Sequence, residues 1–271
     1  MREKVYETDR GNIHYWINEF VENRLTLIFL PGLTADHRLF EKQIEFFENK
    51  YNVLVWDAPG HNTSRPFKLT FSIFDKADYL HGIILKEEIK YPIIIGQSMG
   101  GYVGQCYIQN YPNALKGFIS IDSAPLKRKY VTSSEIWLLK RTDFVFRPYP
   151  WKALKHAGTN GTTETVYGKN LMYEMMGTYS KKEYCDITCQ GYRILAEAME
   201  ADLPFEIDCP VLLMCGEHDK AGSTKKYNQN WTKIDKLPIV WIPNAGHNSN
   251  TDNPEMVNNT IQEFLYEKIK I

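Results

Sequence analysis

The sequence lacks a hydrophobic run long enough to cross a membrane. No stretch of its 271 residues approaches the ~18 consecutive apolar residues that mark a membrane-spanning helix. Residues 1–4 lead into polar sequence, without the apolar core of a secretion signal. We therefore expect a protein with no membrane span and a cytoplasmic location.

The sequence also lacks an excess of charge of either sign, and no internal repeat is visible. The formal net charge is −1, from 32 Lys and Arg, and 33 Asp and Glu. Nucleic-acid-binding domains present a strong positive field, so this balance argues against a nucleic-acid partner. A length of 271 residues and a hydrophobic content of 43% suit one large globular domain, or one domain that carries an insertion.

Cysteine is scarce, and its number, five, is odd for a protein held together by disulfides. Cys106, Cys209 and Cys215 fall in apolar helix or strand patterns and are predicted to be small buried hydrophobic residues. Cys185 and Cys189 are four residues apart and would share one face of a helix. No matching His or Cys pair lies nearby, so the sequence predicts reduced thiols and no metal site.

The most informative stretch is residues 93–101, Ile-Ile-Ile-Gly-Gln-Ser-Met-Gly-Gly. An apolar β-branched run ends in Gly-x-Ser-x-Gly, and a helical pattern follows. Strand, sharp turn and helix in this order predict a nucleophile elbow, in which a strained turn projects the Ser98 hydroxyl. Gly96 and Gly100 suit this turn, because a Cβ at either position would crowd it. For the pentapeptide alone, a plain turn with a helix-capping Ser98 is the alternative.

Apolar strands alternate with helical patterns along most of the chain. A hairpin is predicted at 4–19. Near-continuous apolar strands are predicted at 25–30, 53–56, 93–95, 115–121, 211–215 and 239–242, and helices at 37–49, 73–88, 102–110 and 256–268. Strands buried on both faces and separated by helices predict an α/β fold with a mostly parallel sheet flanked by helices.

The alternation breaks between Pro125 and Cys209. This segment has no buried-strand run, is rich in aromatic residues and methionine, and shows helical patterns at 135–141, 164–176 and 181–200. We predict a helical cap at residues 126–208, inserted into a core formed by residues 1–125 and 209–271.

Polar residues stand directly after the predicted strands, where ligands bind in parallel sheets. Ser98, Asp219 and His247 each follow a strand. A serine nucleophile needs a base, a histidine that titrates near neutrality is suitable, and a carboxylate must orient that histidine. Asp122 also ends a strand, and it is the serious alternative to Asp219.

These landmarks resemble the α/β-hydrolase fold family over essentially the whole chain. The matching motifs lie at 30–33, 57–64, 96–101, 216–219 and 245–247. The resemblance implies the chain order nucleophile, acid, histidine, which gives Ser98, Asp219 and His247. It also implies an oxyanion hole of two backbone N–H groups, from Met99 and Leu33. The sequence departs from a common family pattern in carrying Pro-Gly, rather than His-Gly, before Leu33.

The activity that this resemblance implies is serine hydrolysis without a cofactor. The substrate would be a small or medium carboxylic ester, thioester or lactone, cleaved through an acyl-enzyme. Relatives use the same three residues for carbon–carbon bond cleavage, elimination or perhydrolysis, so a carbon–carbon bond hydrolase or lyase is an alternative. A non-enzymatic ligand receptor that keeps the fold is another.

The predicted cap is basic. Residues 126–190 carry eleven Lys or Arg and six Asp or Glu, whereas the rest of the chain is net negative. One interpretation is a solvated helical surface. The other is electrostatic steering of an anionic acyl substrate. In both cases the expected partner is a small-molecule acyl substrate, and the sequence leaves the oligomeric state open.

Overall fold

The structure, a computed structural model, describes residues 1–269. One sheet of eight strands has the order β1-β2-β4-β3-β5-β6-β7-β8. In chain order the strands are β1 (Arg2–Thr8), β2 (Gly11–Ile17), β3 (Thr26–Leu30), β4 (Asn52–Trp56), β5 (Ile93–Gln97), β6 (Gly117–Ile121), β7 (Val211–Gly216) and β8 (Ile239–Ile242). The β1–β2 hairpin is antiparallel, as is the pairing of β2 with β4, and β3 to β8 run parallel.

The parallel strands confirm the predicted α/β architecture. Every residue of β3, β4, β5 and β6 is buried, which explains their near-continuous apolar sequences. The strand β2, which lies between the edge strand β1 and β4, instead alternates buried and part-exposed residues. Because β3 to β8 run parallel, the residues that follow them gather at one edge of the sheet.

Eleven α-helices accompany the sheet within residues 1–269. They are α1 (Glu41–Phe47), α2 (Ile73–Lys86), α3 (Met99–Asn110), α4 (Ser133–Leu139), α5 (Asp143–Phe146), α6 (Trp151–Thr162), α7 (Val166–Gly177), α8 (Lys181–Glu200), α9 (Thr224–Asp235), α10 (Ser249–Asp252) and α11 (Pro254–Lys268). The helix predicted at 37–49 begins as a 3-10 turn, His37–Phe40, before α1.

The sequence patterns do not predict two of the helices, α6 and α9, which have twelve residues each. The sequence of α9 is mostly polar, and of its three large apolar side chains Tyr227 and Trp231 are buried whereas Ile234 is exposed. The α6 sequence contains Gly158 and Gly161, which disfavour helix in isolation. Such helices depend on tertiary packing, here of α6 against α7 and α9 against β7.

The chain between β6 and β7 contains α4 to α8 and, within residues 1–269, no strand. Thr132 and Ser180 form capping boxes that define the first residues of α4 and α8. The longest helix, α8, spans the residues predicted for it and packs against α2, α4 and α5.

None of the helices described between residues 1 and 269 is both long and apolar enough to cross a membrane. All five cysteines are free, and four are buried. Cys209 is partly exposed, contrary to the prediction, because it lies in the loop before β7 rather than within the strand.

Candidate active site

Ser98 forms the turn between β5 and α3 by itself. Its backbone angles, φ 49° and ψ −115°, lie in a region that residues other than glycine rarely adopt. The Ser98 N–H donates to the carbonyl oxygen of Ile121 on β6 at 2.9 Å, which ties the strained turn to the neighbouring strand. The predicted order of strand, sharp turn and helix is present.

Gly96 and Gly100 allow this turn to close. A Cβ on Gly96 would collide with the backbone of Gly100, and a Cβ on Gly100 would overlap the carbonyl of Leu30. Backbone atoms cannot move aside as the end of a side chain can, so a larger residue would push α3 away from the sheet. The predicted need for small residues here is confirmed.

The three side chains proposed from the sequence meet in one hydrogen-bonded line. His247 Nε2 lies 2.8 Å from Ser98 Oγ, and His247 Nδ1 lies 2.9 Å from Asp219 Oδ2. An ionised carboxylate can only accept, so Nδ1 carries the proton and Nε2 is left to accept from the serine hydroxyl. In enzymes with a serine nucleophile, a histidine held in this way accepts the hydroxyl proton.

Asp219 is held by groups at the end of β7. Its Oδ1 accepts the Ala221 N–H at 2.8 Å, and Cys215 Sγ lies 3.8 Å from its Oδ2. The side chain is fully buried. These contacts leave Oδ2 directed at His247 and restrict the rotation of the carboxylate.

The pKa of His247 reflects two opposing effects. Burial by itself would lower it, but the adjacent charge of Asp219, its hydrogen bond, and the charge of Asp122 raise the pKa above the ordinary value of 6.5. Two carboxylates near the imidazole therefore stabilise the imidazolium, the form that appears when the histidine takes a proton from serine.

Asp122, the alternative acid, is fully buried and accepts hydrogen bonds from backbone groups rather than from His247. Its carboxylate accepts the Gly216 N–H at 2.7 Å and the Ser249 N–H at 2.8 Å. It thereby joins the end of β7 to the residues that follow His247. Carboxylate oxygens of Asp122 and Asp219 lie within 4.8 Å of each other. Burial and the neighbouring Asp219 charge raise the pKa of Asp122.

Two further residues position the histidine loop, and the sequence reasoning assigned a role to neither. Gln97 Nε2 donates to the carbonyl oxygen of His247 at 2.7 Å. Asp252 accepts the Gly246 N–H at 2.8 Å and the Glu164 N–H at 2.9 Å, so it connects this loop to the α6–α7 turn. The only sequence signal for Gln97 is a polar residue at the end of a buried strand.

The predicted oxyanion-hole residues flank Ser98. Met99 is the first residue of α3, where the backbone N–H has no partner within the helix and the helix dipole is positive. Leu33 follows β3, and its side chain packs against Gly191 of α8. Neither backbone N–H donates to an acceptor within the described residues. Both residues line a cavity at Ser98.

Two cavities meet at the serine. The first has a volume of about 260 Å³ and the second of about 290 Å³. They share five lining residues, Leu33, Ser98, Tyr192, Ala221 and His247. Most of the other walls come from the helices between β6 and β7. The volumes suit a small or medium ligand.

Two clusters contain residue types that bind metals. One is Asp36, His37 and Asp57, and the other is Asp122, Cys215 and Asp219. Hydrogen bonds within the chain already use these groups. His37 Nδ1 contacts Asp57 Oδ1 at 2.9 Å, for example. The sequence-based expectation of no metal site stays a prediction.

Comparison with known proteins identifies the class. The model of the alpha/beta hydrolase fold family matches residues 26–254, and the chain belongs to this family. Similar solved structures share its fold. An enol-lactonase from Burkholderia xenovorans has a TM-score of 0.76 and 21% identity, covering 97% of this chain and 100% of that one. A thermophilic esterase from Thermogutta terrifontis has a TM-score of 0.74 and 20% identity, with all of both chains covered.

Curated relatives match over nearly full length. The uncharacterized hydrolase YugF of Bacillus subtilis is 23% identical, and the match covers 96% of each chain. A 2-(acetamidomethylene)succinate hydrolase of Mesorhizobium japonicum is 21% identical over 88% of this chain and 87% of its own. Both relatives are hydrolases by name, and the name of the second states a substrate whereas that of the first does not.

Proposed function

We propose that the protein is a serine hydrolase that cleaves a small or medium carboxylic ester, thioester or lactone. Ser98 is the nucleophile, His247 the general base and acid, and Asp219 the residue that orients the histidine. The observation that carries the proposal is the line from Ser98 Oγ through His247 to Asp219, with contacts of 2.8 and 2.9 Å.

The proposed reaction has two halves. Ser98 Oγ attacks the acyl carbonyl while His247 Nε2 takes the hydroxyl proton, and the N–H groups of Met99 and Leu33 stabilise the oxyanion. When the tetrahedral intermediate collapses, His247 gives that proton to the departing alcohol or thiol. Water then attacks the acyl-enzyme with the same base, and the acid product leaves Ser98 free.

We also propose that residues 126–208 form a cap over a core of residues 1–125 and 209–271. The helices of this segment supply about half of the residues that line the two cavities, and the core supplies the reacting groups. Asp252 reaches the segment through the Glu164 N–H, at 2.9 Å. The cap would thus determine which substrates reach Ser98.

The test is to trap the acyl-enzyme. With a 4-nitrophenyl ester we expect a burst of one nitrophenolate per active site, and a mass increase of the acyl group on the peptide that contains Ser98. A fluorophosphonate probe should label the same peptide. Ser98→Ala should lose burst, adduct and labelling while keeping the thermal unfolding profile. Wild-type ester turnover by Ser98→Ala would overturn the proposal.

The same experiment separates the alternatives. Labelling of Ser98 without turnover of simple esters would favour a carbon–carbon bond hydrolase or lyase, which uses the same residues. Absence of labelling in the folded protein would favour a ligand receptor.

A further inference from the structure

The second cavity at Ser98 is apolar along most of its wall. Its aliphatic and thioether side chains come from α3, α4 and α8 and include Met99, Leu138, Leu139, Leu195 and Met199. Within residues 1–269, no lysine or arginine lines this cavity or the first one. A substrate carboxylate buried in either cavity would therefore have no lysine or arginine partner, which is costly.

The wall of this second cavity includes one carboxylate side chain, that of Glu135. Glu135 is the N3 residue of α4, and its Oε2 accepts from Thr132 N at 2.8 Å and Thr132 Oγ1 at 2.6 Å. Burial would raise the pKa of Glu135, but the hydrogen bonds from Thr132 and Tyr227 outweigh it and lower the pKa to about 2. Glu135 is therefore ionised at neutral pH. The charge of Lys226 also lowers its pKa, but Lys226 lines neither cavity, so a second negative charge in the cavity would face the Glu135 carboxylate.

Several basic residues of the cap contact neighbouring side chains and line neither cavity. Arg147 contacts Asp143 at 2.7 Å and Asp186 at 3.0 Å, and Lys140 pairs with Glu200. The Arg141 guanidinium stacks on the Trp137 ring at 4.4 Å from its centroid. The positive excess of residues 126–190 therefore does not extend into the cavity lining.

We propose that the second cavity binds an uncharged, apolar group of the substrate, and that Glu135 excludes acidic groups from it. The substrate class is a neutral ester, thioester or lactone with an aliphatic or aromatic group of cavity size. This inference rests on the proposed function, and it decides against the steering of an anionic substrate.

The first test compares esters that differ only in charge. 4-Nitrophenyl hexanoate is paired with the 4-nitrophenyl monoester of hexanedioic acid, and a second pair carries the added carboxylate on the alcohol. At about 0.15 M salt, where long-range steering is screened, the neutral ester should have the higher kcat/KM by roughly 100-fold in at least one pair. Equal rates, or preference for the acid in both pairs, would overturn the inference.

Glu135→Gln tests the role of the carboxylate. Gln keeps the capping-box hydrogen bond but removes the charge, so the preference for the neutral ester should fall by roughly tenfold. Glu183→Gln is the matched control, because Glu183 is the N3 residue of the α8 capping box and lies outside both cavities. If Glu135→Gln and Glu183→Gln had the same ratio of kcat/KM for the neutral ester to kcat/KM for the acidic ester, the role of Glu135 would be overturned.

Leu138→Lys places a cation at the cavity. Leu138 is 53% exposed, so a lysine stem fits without burial of its charge. This variant should raise kcat/KM for the acidic ester at least tenfold relative to the neutral one. Phe144→Lys adds the same charge on α5 at a side chain 82% exposed and outside both cavities, and should leave the ratio near that of wild type. Equal gains in the two variants would mean long-range steering and would contradict the inference.

A binding measurement makes the result independent of turnover. Hexanamide and its ω-carboxylate are titrated into the Ser98→Ala protein by calorimetry, and hexanamide should bind at least tenfold more tightly. Tighter binding of the acid would overturn the proposal. Absence of ester turnover by the unmodified protein, with hexanamide binding retained, would instead count against the proposed function alone.

Discussion

The edge of the sheet and the helices between β6 and β7 build the site in different ways. At the sheet edge, backbone N–H groups fix the carboxylates of Asp122 and Asp219, and both side chains are completely buried. The helices contribute side chains that pack against one another and against the ligand space. The comparison suggests that the sheet edge determines the chemistry and the helices determine selectivity.

The two regions also differ in how completely they are packed. Large apolar side chains on α4 and α5 remain exposed, among them Trp137 at 57% and Phe144 at 82%. The strands that lead to Ser98 and Asp219 are buried almost throughout. A substitution at the sheet edge should therefore reduce kcat, whereas one in the helices should change KM and substrate preference.

The largest expected effect is that of Asp219→Asn. The asparagine amide would donate to His247 Nδ1 and favour the wrong tautomer, so kcat for a 4-nitrophenyl ester should fall roughly 10⁴-fold. Steady-state kinetics measure this, with thermal unfolding as the control for folding. A larger loss in Asp122→Asn than in Asp219→Asn would make Asp122 the acid.

The pH profile should show the raised pKa of His247. The protonated imidazole cannot accept the Ser98 proton, so kcat/KM should fall about tenfold per pH unit below a midpoint that lies above 6.5. Because Asp219 and Asp122 raise this pKa, removing either charge should move the midpoint to lower pH. An acid limb centred below 6.5 in the wild-type protein would contradict this electrostatic account.

Asp122→Asn should have a moderate effect. The amide oxygen can still accept one of the two backbone N–H groups, but the amide nitrogen faces the other donor, so unfolding free energy should drop by about 1–3 kcal/mol. We expect kcat to fall about tenfold, as the loop that follows His247 loosens. Chemical denaturation and ester kinetics measure the two effects, and unchanged stability would show that these hydrogen bonds are dispensable.

The smallest effect should come from the helices. Tyr192 lines both cavities and stacks on Phe146 with ring centroids 5.9 Å apart. Tyr192→Ala removes this shared wall, so KM should rise about tenfold with a smaller change in kcat. Phe144→Ala is the control, since that ring is exposed and lines neither cavity. If Tyr192→Ala lowered kcat as much as Asp219→Asn does, the helices would also contribute to the chemistry, and the proposed difference between the two regions would be wrong.

Much of the site follows from local sequence. The β-branched run before Gly96 predicts a strand, and Gly96 and Gly100 leave room for a tight turn at Ser98, so the elbow could be predicted. The helices α6 and α9 could not, because their sequences carry short or interrupted apolar stripes and packing supplies their stability. Gln97 has no local signal for its bond to the His247 carbonyl, a contact across 150 positions.

The sequence by itself determined the alternation of buried strands and helices and the elbow at Ser98. It also offered His247 and two candidate acids, of which the chain order of the family favoured Asp219 over Asp122. Periodicity and turn chemistry are local properties, and local residues specify them. Only the tertiary structure decided that Asp122 holds backbone N–H groups rather than the histidine, and that no lysine or arginine of residues 1–269 lines the two cavities. Those outcomes depend on which distant side chains share a buried space, and residue order along the chain does not express that proximity.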